Sequence, residues 1–181
     1  EANELVPKPS DISFVENADD VGLRFQYFNG SLKPKGLEHI FETTGGGVAV
    51  LDLDSDRWPD LWLAQGNAIW SDHGTVKPID RIFRNIDGAE FEDVTEISGV
   101  IEDGFSQGVT VGDVNSDGFP DVYVANVGPN RLLLNNGDGT LTDVTSEADV
   151  GGDEWTLSPV IVDLNKDGFP EIYSLNYLQR D

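Results

Sequence analysis

Short apolar runs separated by polar, oxygen-rich stretches set the rhythm of this chain. Val48-Ala49-Val50-Leu51, Val109-Thr110-Val111 and Val160-Ile161-Val162 are β-branched and of strand length. Nine residues after the first of these runs comes Leu61-Trp62-Leu63, and Val122-Tyr123-Val124 and Ile172-Tyr173 follow their own runs in the same way. Arg81-Ile82-Phe83 and Arg131-Leu132-Leu133-Leu134 come next. Asp87-Gly88 and Asn136-Gly137-Asp138-Gly139 are hairpin turn signals that lead into a fourth strand. No segment shows a convincing helical period. The pattern predicts an all-β chain of short antiparallel strands.

The pattern also repeats. Residues 48–64, 109–125 and 159–175 align without gaps, and residues 84–100 align with 134–150. One repeat is then four antiparallel strands in about 50 residues, the size of a β-propeller blade. Repeat one carries an insertion between Leu61 and Ile79. Phe14 to Leu23 resembles Phe91 to Val100, so an isolated fourth strand is expected before the first repeat. The expected organisation is an extended leader or linker over residues 1–13, around Pro7 and Pro9, and a partial propeller over 14–181. Its repeats lie at approximately 44–95, 105–145 and 155–181. That is a lone strand, two blades and half a blade, whereas a closed ring needs about four to eight. Further blades of a longer chain, or other copies meeting through open strand edges, are the expected completion. The absence of Met likewise fits a processed product or a piece of something longer.

The loop between the first and second strands of each repeat carries the chemistry. The three loops are DLDSDRWPD (52–60), DVNSDGFPD (113–121) and DLNKDGFPE (163–171). Oxygen side chains stand at loop positions 1, 3, 5 and 9. They are Asp52, Asp54, Asp56 and Asp60, then Asp113, Asn115, Asp117 and Asp121, then Asp163, Asn165, Asp167 and Glu171. Alternate spacing on a tight turn aims such groups at one point. The position-7 carbonyls of Trp58, Phe119 and Phe169 offer a further ligand. Hard oxygen ligands with neither His nor Cys select Ca²⁺, with Mg²⁺ second, at about three sites. Asp, Asn and Gly are also ordinary turn residues, but three copies with the same four oxygen positions make a mere turn improbable. A helical EF-hand loop needs a bidentate Glu at position 12, where this chain has Leu63, Val124 and Ser174. Position 6 is Gly118 and Gly168 but Arg57 in repeat one, where a left-handed backbone would cost about 1 kcal/mol. Asp54 replaces the Asn of the other loops, and its added charge offsets either the ion or Arg57.

These loops, followed by F-x-D-V-T, resemble the FG-GAP/VCBS repeats, closest to the cartilage acidic protein-like, UnbV-associated group. The resemblance covers roughly residues 14–181. It implies a calcium-binding, integrin-like β-propeller, secreted or on a cell surface, and it implies no reaction.

Charge narrows the partners. The chain has 181 residues, 34 acidic against 11 Lys and Arg, and a net charge of −23. That excludes a nucleic-acid backbone or an anionic membrane as a partner. No apolar run reaches the length of a membrane span. Lack of Cys removes disulfides, thiolate metal sites and cysteine catalysis. Ten of the 34 acidic residues fall at the loop positions, so the metal loops account for the densest charge. The expected function is a secreted, extracellular or periplasmic module that binds a protein or polysaccharide, with calcium in a structural role. The 66–79 loop, with Asn67, Trp70, Asp72 and His73, is a candidate ligand contact. It is as well explained by Trp70 packing over a neighbouring blade. No catalytic constellation is recognisable, so an enzyme is not expected. The alternatives are the propeller part of a polysaccharide lyase or hydrolase, or a self-assembling extracellular repeat protein.

Overall fold

Alternation of apolar and polar positions produces ten strands. The computed structural model describes residues 13–31, 39–68 and 78–178. The first sheet is β1 (Val48–Leu51), β2 (Asp60–Leu63), β3 (Arg81–Ile86) and β4 (Glu90–Asp93), in that order. The second is β5 (Ser106–Gly112), β6 (Asp121–Asn126), β7 (Arg131–Asn135) and β8 (Leu141–Asp143). The third is the pair β9 (Trp155–Val162) and β10 (Glu171–Leu178). Every pairing is antiparallel. The only helical turns among the described residues are a 3₁₀ turn at Ile40–Thr43 and the single turn α1 (Thr145–Ala148). Among the described residues no helix is long and apolar enough to cross a membrane.

The sheets stack face to face through their first strands. Ala49 and Leu51 of β1 and Trp62 and Ile82 behind them pack on Val122, Val124, Leu133 and Leu141 of the second sheet. Each such buried aliphatic contributes about 1.5–3 kcal/mol. Glycine permits the close approach of first strands. A Cβ on Gly47 would lie 3.1 Å from the Cα of Gly108, and one on Gly108 would lie 2.4 Å from the Leu157 carbonyl oxygen. Gly47 and Gly108 occupy the same place in their repeats, so equivalent residues touch across the stack. The first strands therefore run the same way, and their three C-terminal loops share one rim. As the middle sheet, the second is covered on both faces: β6 is buried at all six positions. A second cluster of Phe41, Phe105 and Trp155 ties the 3₁₀ turn to the starts of β5 and β9.

One expectation needs correction. Residues 14–23 form no strand. The Asn17 carbonyl accepts from the amides of Asp20 and Val21, closing a turn where the strand would run. Phe14 and Val15 remain 95% and 80% exposed. The segment still meets the first sheet, through a 2.7 Å bond from the Phe91 amide to the Val21 carbonyl. Its resemblance to 91–100 lies in the turn, since Ile97 and Ser98 donate in the same way to Val94.

Candidate metal centre

Each loop is shaped by hydrogen bonds from its own backbone to its own oxygens. In the first, the Asp56 amide donates to Asp52 Oδ1 at 3.1 Å and to Asp54 Oδ1 at 3.2 Å. The Arg57 amide donates to Asp52 Oδ2 at 3.0 Å, and the Trp58 amide to Asp56 Oδ1 at 2.8 Å. The second loop repeats these four bonds on Asp113, Asn115 and Asp117. The third repeats them on Asp163, Asn165 and Asp167. Position 4 takes a left-handed backbone in all three, with φ of 63°, 60° and 65° at Ser55, Ser116 and Lys166. Arg57 is left-handed too, at 73°, where Gly118 and Gly168 stand at 94°. Repeat one therefore carries the strain that its sequence implies.

Position 9 closes the loop from outside. Asp60 accepts from the Leu53 amide at 2.8 Å and from the Asn85 amide of β3 at 2.7 Å. Asp121 does the same with Val114 and with Asn135 of β7, at 2.8 and 2.9 Å. Both aspartates are fully buried. Burial pushes both carboxyls above the usual range. The two N–H bonds pull back, while Asp54 and Asp56, or Asp117 and Asp113, push the same way as burial. Glu171 reaches the Leu164 amide at 2.8 Å from a more open position.

The position-7 aromatics pack beneath the hairpin turns. A Cβ on Gly88 would meet the Trp58 ring at 2.5 Å, and one on Gly137 would meet the Phe119 ring at 2.5 Å. Phe169 is exposed.

The structure gathers only some of the oxygens that the sequence singles out: among the described residues one close carboxylate group forms, in the first loop and without Asp56, and the carboxylates of the second and third loops form none. In the first loop one carboxylate oxygen each from Asp52, Asp54 and Asp60 lies within 4.8 Å of the others. Each carboxylate oxygen holding an N–H bond keeps a second lone pair. This donor set is all hard oxygen and suits a cation of the Ca²⁺ type, which takes about six to eight such ligands.

Two features were not foreseen. Arg84 of β3 inserts its guanidinium at the first loop, with Nε 2.5 Å from Asp54 Oδ2 and Nη2 3.6 Å from Asp56 Oδ2. The partner of Asp54 is thus Arg84 and not Arg57. The signal was present in the alignment, where Leu134 stands at the equivalent position. The second feature is a buried carboxyl on the opposite rim. Asp80 accepts from Trp62 Nε1 and the Gln65 amide, both at 2.7 Å. Burial pushes it up to about 8, with Glu102 adding to the rise. Asn130 at the same place in repeat two accepts from the Asn126 amide at 2.8 Å.

Trp70, Asp72 and His73 lie outside the described residues. Asn67 is buried, and its Nδ2 donates to the Asp103 carbonyl at 2.6 Å, so it does not belong to an open contact loop.

A family model described as FG-GAP-like repeat matches residues 52–124 and 113–174. The chain belongs to the FG-GAP-like repeat family. Each match begins on the position-1 aspartate of one loop and runs past the whole of the next loop, so the FG-GAP-like unit spans the stacked pairs seen in the fold. The expected fold class is correct: sheets of four, four and two antiparallel strands are incomplete FG-GAP-like propeller blades. No curated protein matches the chain.

Proposed function

We propose that the chain is a calcium-stiffened β-propeller module, outside the cytoplasm, that presents its loops to a protein or polysaccharide. One observation carries the reading: three loops build the same backbone lattice around oxygen side chains at positions 1, 3, 5 and 9. Asp52, Asp54, Asp56 and Asp60 would hold one ion. Asp113, Asn115, Asp117 and Asp121 would hold a second, and Asp163, Asn165, Asp167 and Glu171 a third. The carbonyls of Trp58, Phe119 and Phe169 would complete the sets. Bound calcium supplies positive charge that cancels repulsion among the loop carboxylates. With extracellular-type affinities of about 10⁻⁴ to 10⁻³ M, each site adds about 0.4–1.4 kcal/mol at roughly millimolar calcium. Such affinities serve only where calcium is plentiful, which supports a secreted or periplasmic setting.

The test is a calcium titration followed by calorimetry and melting. Calcium raises the melting temperature and chelator lowers it. Asp113→Ala and Asp163→Ala each lower the bound count by about one. Melting that ignores both calcium and chelator ends this reading. A glycan array run with a turnover assay separates a binding module from a carbohydrate-active enzyme.

A second reading rests on the third sheet. Val160, Tyr173 and Leu175 are exposed on one face of it, and Val48 and Val50 are exposed on β1 at the other end of the stack. Other copies, or further blades, would cover these surfaces head to tail.

A further inference from the structure

We propose that the Arg84 guanidinium is a built-in counterion that competes with a divalent cation for the first loop, so that this loop is the last of the three to fill. The inference rests on the calcium reading above. It begins from a paired difference between repeats. Asp54 stands where the other loops have Asn115 and Asn165, which adds one negative charge. Arg84 stands where repeat two has Leu134, which adds one positive charge. The structure joins the two, with Nε 2.5 Å from Asp54 Oδ2 and Nη2 reaching toward Asp56 at 3.6 Å. At positions 1, 3, 5 and 9 the first loop without its Asp54–Arg84 pair keeps three carboxylates, as the second loop does, and Arg57 adds a positive charge that the second loop lacks.

The surroundings make this pairing hard to give up. The Asp54 side chain is only 12% exposed, whereas Arg84 is 41% exposed. A mostly desolvated carboxylate needs a partner, and taking the partner away costs more than an exposed pair would. The second blade restricts the loop further. The Gly139 amide donates to the Leu53 carbonyl at 3.3 Å, and Asn135 Nδ2 reaches the Asp52 carbonyl at 3.4 Å. Arg84 and Asp54 line a cleft of about 180 Å³ whose other side is lined by Asp138, Gly139 and Thr140 of the second blade. The gathering of Asp52, Asp54 and Asp60 that suits a metal is therefore already served by a cation of the chain itself. An entering ion must compete with the Arg84 guanidinium for Asp54. In the second loop the corresponding donor is neutral: the position-3 amide, Asn115 Nδ2, donates to Asp117 Oδ2 at 2.8 Å.

The test is calcium calorimetry on the full chain for wild type, Arg84→Leu, Arg84→Lys and the double variant Asp54→Asn/Arg84→Leu. Wild type shows two sites and a third that is weaker by about tenfold or more. Arg84→Leu brings the third into the range of the other two, and Arg84→Lys leaves it weak. A second readout needs no calcium. In chelator, Arg84→Leu melts below wild type and the double variant recovers most of the loss. Circular dichroism checks folding. Should Arg84→Leu fail to fold, the double variant, which carries repeat two's residues at these two positions, replaces it in the titration. Three equal sites in wild type, or an Arg84→Leu isotherm that overlays wild type, overturns the proposal. Wild-type loops two and three that take no calcium would instead sink the broader calcium reading, while the comparison with Arg84→Leu still decides this one.

Discussion

Position 9 and position 1 of each loop are both carboxylates, yet they answer to different forces. Asp121 is fully buried and holds two backbone amides from separate strands. Asp113 is half-buried and holds only amides of its own loop. Hydrogen bonds to a charged acceptor contribute about 1.5–3 kcal/mol each. Asp121→Ala is therefore expected to cost about 3 kcal/mol or more in urea unfolding, in calcium and in chelator alike. Asp113→Ala should cost far less in chelator and show its effect in calcium. Equal losses for the two variants in chelator would contradict this division. Asp80 gives a pH prediction. Its folded value of about 8 lies above the usual 3.8. Between those values the folded chain binds more protons than the unfolded chain, so stability falls as pH rises from about 4 to about 8. Asp80→Asn should flatten that decline, because Asn130 already fills the same place in repeat two. At low pH the variant loses about 1 kcal/mol with the weakened Trp62 bond. Parallel wild-type and variant curves across this range would refute the assignment.

Elements depend on how hairpins and loops interlock. Gly137 has φ of 75°, and a Cβ there would meet the Phe119 ring at 2.5 Å. Gly137→Ala should therefore cost about 1–2 kcal/mol, read as a lower urea midpoint, from left-handed strain and displacement of the ring. A midpoint equal to wild type would show that the ring is free to move. The strands were legible because apolar alternation and turn residues agree, and the oxygen-rich loops between them because their spacing recurs three times. Residues 14–23 misled because the apolar matches of Phe14 with Phe91 and of Leu23 with Val100 carry no information about a pairing partner. Arg84 was missed because a guanidinium on a neighbouring strand reaches the loop only through the register of β2 with β3, which places Leu61 opposite Phe83. Asp80 was missed because a lone carboxylate in a loop reads as solvated until burial is known.

At the scale of the molecule, stacking is between neighbours only. The apolar surfaces left at each end predict association. Light scattering should show mass above a monomer, and Val160→Lys with Tyr173→Lys should reduce it; a strict monomer with and without calcium would sink the self-assembly reading. The burial of β6 at all six positions has another consequence. A sheet held on both faces can open only by parting two interfaces, while an end sheet parts one. Amide hydrogens of β6 should therefore exchange with deuterium slowest of all and those of β10 much faster, as local opening draws on the least supported part of the array. The chain would then lose its order from the ends inward, with the central blade as the last unit to let solvent in.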